Sequence, residues 1–62
     1  MTLEQFLDTF NIKPQRIPAY PKLIVIHDNI AEPARSELFH LDDYRVSSVS
    51  AGSIYLLPKR EL

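Results

Sequence analysis

The sequence contains no cysteine and only one glycine among its 62 residues. The absence of cysteine excludes disulfide bonds and zinc sites built from thiolates. A single glycine excludes the glycine-rich loops that hold phosphates in nucleotide-binding proteins. The chain also lacks the G-x-S-x-G elbow that presents a catalytic serine. We therefore expect a protein that is not an enzyme and that binds no cofactor.

An excess of positive charge and a long apolar run are absent as well. Seven Lys and Arg residues stand against eight Asp and Glu residues, which gives a formal net charge of -1. Because proteins that bind the phosphate backbone usually carry a basic face, nucleic acid is a disfavoured partner. No apolar run approaches the roughly 18 residues that a membrane span requires, and the first residues do not resemble a signal peptide. We expect a cytoplasmic protein without membrane contact.

The chain is short for a domain that must bury its own apolar residues. Hydrophobic residues make up 45% of the composition, which is too apolar for a disordered chain. A domain of this size, which is also typical of phage and plasmid proteins, buries only about 60% of the surface that its unfolded chain exposes. Since disulfides are excluded, a partner protein or a second copy is the expected source of further stability, and a homodimer is expected.

The opening residues have the pattern of a short amphipathic helix. Thr2 followed by Gln5 forms a capping box at its start, and Asn11 can end it in the left-handed conformation. Because so short a helix is marginal in water alone, it must dock onto the rest of the chain. Apolar side chains recur at i, i+3, i+4 and i+7, the spacing of one helical face, and they are Leu3, Phe6, Leu7 and Phe10.

The middle of the chain changes character twice. Three prolines between 12 and 21 fix φ and remove backbone donors, which predicts an extended connector. The run LIVI at 23–26 does not alternate with polar residues, so we expect a central strand that is covered on both faces. Pro33 suits the first turn of a helix, and one or two helical turns are predicted at about 32–39.

The stretch YRVSSVSAGSIYLLPK predicts a β-hairpin. With Ala51 and Gly52 as a two-residue turn, Val49 pairs with Ile54 and Val46 pairs with Leu57. Ala-Gly is a weaker turn signal than Asn-Gly, because alanine disfavours positive φ. This pairing places one set of side chains together on one face of the hairpin: Tyr44, Val46, Tyr55 and Leu57.

These elements in order predict an α+β fold. A short N-terminal amphipathic helix packs on a small three-stranded sheet that ends in a β-hairpin, and a short helical segment lies between strands one and two. We expect a single domain over 1–62, made of a helix at 1–11, a proline-rich connector at 12–21, a sheet core with a helical insert at 22–58 and a tail at 59–62.

Two histidines and three aspartates are the residues that could bind a metal or catalyse proton transfer: His27, Asp28, His40, Asp42 and Asp43. If strands one and two run in parallel, the two histidines lie about 15 Å apart. If the strands are antiparallel, all five residues gather at one edge of the sheet. Their spacing matches no established ligand motif, and Asp and Asn are common turn residues. We therefore predict no metal and no catalytic residue, and we expect the acids to be solvated turn residues.

The composition and the predicted strands favour a binding protein. Strands with apolar residues on both faces need more cover than this chain supplies. We expect a small accessory or inhibitory protein that binds another protein, itself, or both through a sheet edge or an exposed apolar face. The candidate interface residues are aromatic or aliphatic: Tyr20, Phe39, Tyr44, Val46, Tyr55 and Leu57.

The alternative hypothesis is a reduced winged-helix regulator that binds DNA. A helix, a strand, a helical segment and a C-terminal hairpin occur in a similar order in such domains. The hairpin tip SAGS carries no Lys or Arg to enter a groove, and the connector occupies the chain that a recognition helix would need. Substitution of Arg35 or Arg45 would abolish DNA affinity if this hypothesis held.

Overall fold

The computed structural model describes residues 1–60 and confirms the α+β class. The predicted tail at 59–62 lies partly outside the described residues. Within them the sheet has four strands in the order β1-β2-β4-β3, one strand more than the sequence pattern predicts. The elements are α1 (Leu3–Phe10), β1 (Gln15–Ile17), β2 (Tyr20–His27), α2 (Ala34–Leu38), β3 (Tyr44–Ser50) and β4 (Ser53–Pro58).

Helix α1 begins and ends as its sequence predicts. The Gln5 backbone N–H donates to the Thr2 hydroxyl at 3.3 Å, and the Thr2 backbone N–H donates to the Gln5 side chain at 2.9 Å. Asn11 ends the helix with a φ of 54°. Leu3 and Phe6 are buried on the helix face that contacts the sheet. Local capping and one apolar face are therefore enough to define this helix.

The additional strand, β1, lies inside the predicted connector. Pro14 and Pro18 flank it, and the three residues between them keep the backbone donors that a strand needs. Pro18 and Ala19 form the turn that joins β1 to β2. A short strand bordered by prolines fits the edge of a sheet, and β1 is an edge strand.

Strands β2 and β3 run in the same direction but are not neighbours. Strand β4 lies between them and pairs antiparallel with both. The connection from β2 to β3 contains α2, which confirms the helical segment predicted at about 32–39. Strands β2 and β3 are the strands one and two of the sequence prediction. Of the two orientations that the sequence left open, they therefore have the parallel one.

The β3–β4 hairpin has the predicted turn. Ala51 and Gly52 both have positive φ, 52° and 75°, as a two-residue turn between strands of normal twist requires. Val49 pairs with Ile54, as predicted. The hairpin turn is therefore confirmed, with alanine in a conformation that costs it free energy.

The predicted pairing is correct as far as Ser48, which lies opposite Tyr55, and it is wrong beyond that residue. Val46 lies opposite Leu56 and not opposite Leu57, because the register shifts between Val46 and Ser48. Ser47 is the extra residue of a β-bulge. The register shift of one residue places the side chains of β3 that precede Ser47 on the face opposite to the predicted one. Tyr44 and Val46 therefore face the core, whereas Arg45 takes the opposite face.

The two helices cover only one face of the sheet. Leu3 and Phe6 of α1 join one buried cluster with residues of α2 and the sheet: Ile24, Ile26, Ala34, Leu38, Leu41, Ile54 and Leu56. Val25 points to the other face and is still only 5% exposed, since Gln15 and Tyr55 lie opposite it on the neighbouring strands. The prediction that β2 is covered on both faces is therefore only partly confirmed.

Candidate functional site

The histidines and aspartates do not form a shared site. His27 ends β2 and pairs with Ser53 at the hairpin end of the sheet. His40 precedes β3, and since β2 and β3 have the same direction, it lies at the opposite end. No group of three or more metal-ligating side chains occurs within residues 1–60. The polar end of the strand LIVIH therefore lies apart from His40 and makes contacts within the domain.

Two of the aspartates join segments of the chain. The Asp28 backbone N–H donates to the Gly52 carbonyl at 3.1 Å, and the Asp28 carbonyl accepts from the Arg35 guanidinium at 3.0 Å. The Asp43 carboxylate accepts from the Leu3 backbone N–H at 2.9 Å. Asp43 is thus bound to the start of α1, which corrects the expectation that both acids after Leu41 are only solvated turn residues.

The sheet face opposite the helices is the strongest candidate for a binding surface, and we call it the open face. Alternation along each strand assigns residues to it, since neighbours in the strand pairs point the same way. Its centre and one end are apolar, and its hairpin end is polar. The residues of the open face that matter below are Leu23, Val25, Arg45, Tyr55 and Leu57.

A cleft of about 380 Å³ lies at the apolar end of the open face. Tyr20, which lines the cleft, lies at an irregularity in the β1–β2 pairing. Arg16 and Ile17 are adjacent, but their partners Ile24 and Tyr20 are separated by three residues of β2. Tyr20 is 64% exposed, which is the largest value among the exposed large hydrophobic residues described. The cleft is lined by Ala19, Tyr20, Pro21, Lys22, Leu23 and Leu57.

Arg45 is a further residue of the open face that the interface prediction missed. It lies opposite Leu57, one strand away from the cleft. Its Nε atom is buried and has no hydrogen-bond partner in the described part of the chain. Arg45 is the only cationic residue in β3 and β4, and this was the signal that could have identified it. The β-bulge, which places it on this face, has no comparable signal.

The six predicted interface residues fall into three groups. Tyr20, Tyr55 and Leu57 belong to the cleft and the open face. Tyr44 and Val46 pack against the buried core on the helix side. Phe39 follows α2 and is 55% exposed. The structure therefore brings three of the six together, and their role in binding stays a prediction.

Comparison with known proteins gives no match: no family model matches the chain, and neither a curated protein nor a solved structure matches it. Among residues 1–60, no helix has the length and apolar character needed to cross a membrane.

Proposed function

We propose that this chain is a small non-enzymatic accessory or inhibitory protein that binds another protein through the open face. The single observation that carries the proposal is the one-sided cover of the sheet. Both helices pack on the same face, while the other keeps half-buried Leu23, Tyr55 and Leu57 beside an apolar cleft. Apolar patches with an adjacent concavity are typical of protein interaction sites.

Tyr20 is the residue with the most surface to offer a partner. Tyrosine is enriched among the few residues that dominate interface energetics, because its ring buries a large area with few rotatable bonds. Tyr20 lies in the lining of the cleft and is 64% exposed. A partner that enters the cleft would therefore contact this ring first.

The predicted homodimer is a competing use of the same surface. Two copies that packed open face to open face would cover the same apolar residues in both chains. Light scattering over a hundredfold concentration range measures this directly. A concentration-dependent dimer that Tyr55→Ser abolishes would assign the open face to a second copy.

The DNA-binding alternative receives less support from the fold. Helix α2 has five residues, a length of about 7.5 Å at the rise of an α-helix, which is short for a recognition helix in a major groove. The Arg35 guanidinium is hydrogen-bonded to the Asp28 carbonyl, so it is engaged within the domain. A salt-dependent affinity for duplex DNA would restore this alternative.

The test is a selection from a library of random short peptides displayed on phage, with the immobilised protein as target. We expect enriched peptides to bind the wild type and to lose binding to Tyr20→Ser. Nuclear magnetic resonance titration with an enriched peptide should move the amide signals of Leu23 and Leu57. An absence of enrichment together with a monomeric protein would contradict the proposal.

Phe39→Ser is the matched control, because Phe39 is also an exposed aromatic residue but follows α2 in the helix layer. It removes a similar apolar area far from the cleft. We expect Phe39→Ser to bind the enriched peptides as the wild type does. If Phe39→Ser loses binding and Tyr20→Ser keeps it, the helix side is the interface and the proposal fails.

A further inference from the structure

The chemistry of the open face indicates what kind of partner fits it, and this inference rests on the function proposed above. Two properties of Arg45 matter here. Its backbone pairs directly with Leu57 in a regular part of the hairpin, and its Nε atom is buried without a hydrogen-bond partner in the described residues. Nearly all buried polar atoms in folded proteins have a partner, so the unpaired Nε leaves this half-buried guanidinium with unused hydrogen-bonding capacity.

The other residues of the open face offer no carboxylate to this arginine. Strand pairing places polar residues in two rows of the face: Gln15 and Ser48 flank Val25 and Tyr55, and His27 and Ser53 lie in the row nearer the turn. Within residues 1–60, the strand positions on this face therefore contain no Asp or Glu. The charge of the face comes from a cation beside apolar residues, which is complementary to an acidic group beside an apolar one.

The absence of Asp and Glu from these described strand positions also argues against a second copy of the chain as the occupant. In a two-fold symmetric dimer, each chain contributes the same patch, so the residues that face Arg45 would come from another open face. At the strand positions within residues 1–60, that face brings a second Arg45 and no carboxylate. The guanidinium of each half-buried Arg45 would gain no carboxylate or would meet a like charge, which costs free energy in both chains.

The geometry sets the spacing that a partner must have. Leu57 lines the cleft and lies opposite Arg45, so the cleft and the arginine backbone are one strand spacing apart, about 4.8 Å. In an extended segment, side chains two positions apart point the same way at about 6.8 Å. In a helix, residues three or four positions apart have Cβ atoms about 5–6 Å apart. Both spacings let one side chain enter the cleft while another reaches the arginine.

We infer that the open face binds an acidic segment of another protein, in which an aliphatic or aromatic side chain fills the cleft and a nearby Asp or Glu pairs with Arg45. The guanidinium donates hydrogen bonds to the carboxylate, and such charge-assisted bonds are shorter and stronger than neutral ones. A partner seated on the face would remove water from the half-buried Arg45 beside Leu57, which would strengthen this pair further.

The test uses an array of synthetic peptides with blocked termini. Each peptide combines one Phe or Leu anchor with Glu, Gln or Lys at a neighbouring position. We expect the wild type to bind the best Glu peptide about tenfold more tightly than its Gln counterpart, and the Lys counterpart least. In Arg45→Met, which keeps the apolar stem and removes the charge, Glu and Gln peptides should bind equally.

Two further variants separate the possible failures. Arg45→Lys keeps the charge but loses Nε and the planar fork, so part of the preference for Glu should remain. Tyr20→Ser should lower the affinity for the Glu peptide and for the Gln peptide by the same factor. Circular dichroism confirms that each variant is folded before binding is measured.

Equal binding of Glu and Gln peptides to the wild type, with both lost in Tyr20→Ser, would overturn the inference and leave the proposed function standing. A preference for Glu that persists in Arg45→Met would also overturn it. If no peptide binds and light scattering finds a dimer, the second copy is the occupant and the inference fails together with the proposal of a different partner.

Discussion

The Asp43 carboxylate accepts a hydrogen bond of 2.9 Å from the backbone N–H of Leu3, across 40 positions of the chain. Leu3 is the first residue of α1, and its N–H has no partner within the helix. A carboxylate at this end also interacts favourably with the helix dipole. The contact fixes the start of α1 to the segment that leads into β3.

Asp43→Ala should therefore lower the free energy of unfolding by about 1 kcal/mol, the typical value for loss of a capping interaction. Urea denaturation measures the change. Asp42→Ala is the control, because the Asp42 side chain is 71% exposed and forms an ion pair with the amino terminus of Met1 at 3.3 Å. A smaller loss is expected there. Equal losses in both variants would contradict a specific role for Asp43.

The end of α1 offers a second test at Asn11. Its φ of 54° is left-handed, a conformation that Asn tolerates better than Ala. Asn11→Ala should reduce the stability by about 1 kcal/mol, whereas Asn11→Gly should keep or slightly increase it. Urea denaturation compares the two. A neutral Asn11→Ala would mean that α1 does not end in the left-handed conformation.

The hairpin turn contains a residue whose substitution should stabilise the protein. Ala51 has a φ of 52°, and Asn is the preferred residue at this position of the turn. Ala51→Asn should raise the free energy of unfolding by about 0.5–1 kcal/mol. Thermal denaturation with calorimetry would detect the increase.

Gly52→Ala, in the same turn, should destabilise the protein. A Cβ at Gly52 meets no atom within 4 Å, so only its φ of 75° opposes the substitution. A loss of about 1 kcal/mol is expected from the backbone alone. If Ala51→Asn destabilised the protein while Gly52→Ala did not, the turn would have a different conformation.

The two faces of β4 can be compared through neighbouring leucines. Leu56 is fully buried in the core, whereas Leu57 is half-buried on the open face. Leu56→Ala should cost about 2–5 kcal/mol, which is enough to unfold a domain whose core supplies little more. Leu57→Ala should stay folded and lose about 1 kcal/mol or less. Circular dichroism distinguishes the two, and an unfolded Leu57→Ala would indicate that the open face is part of the core.

Three features of this protein are predictable because they depend on residues close in sequence. The capping box of Thr2 and Gln5 and the apolar face behind it act within about two turns of helix. The Ala51-Gly52 turn and the nearest pairs of the hairpin need only a two-residue connection. The prolines correctly mark a segment that is extended, although they conceal the short strand Gln15–Ile17.

The surface proposed for binding depends on relationships that only the tertiary structure decides. The bulge at Ser47 turns Val46 to the core and Arg45 to the open face, and no neighbouring residue signals it. The order β1-β2-β4-β3 separates His27 from His40, and the docking of both helices on one face leaves Tyr55 and Leu57 uncovered. Local patterns define elements because the interacting groups are a few bonds apart. Strand order, register and the covered face follow from competition among distant contacts, and that competition is resolved only when the whole chain packs.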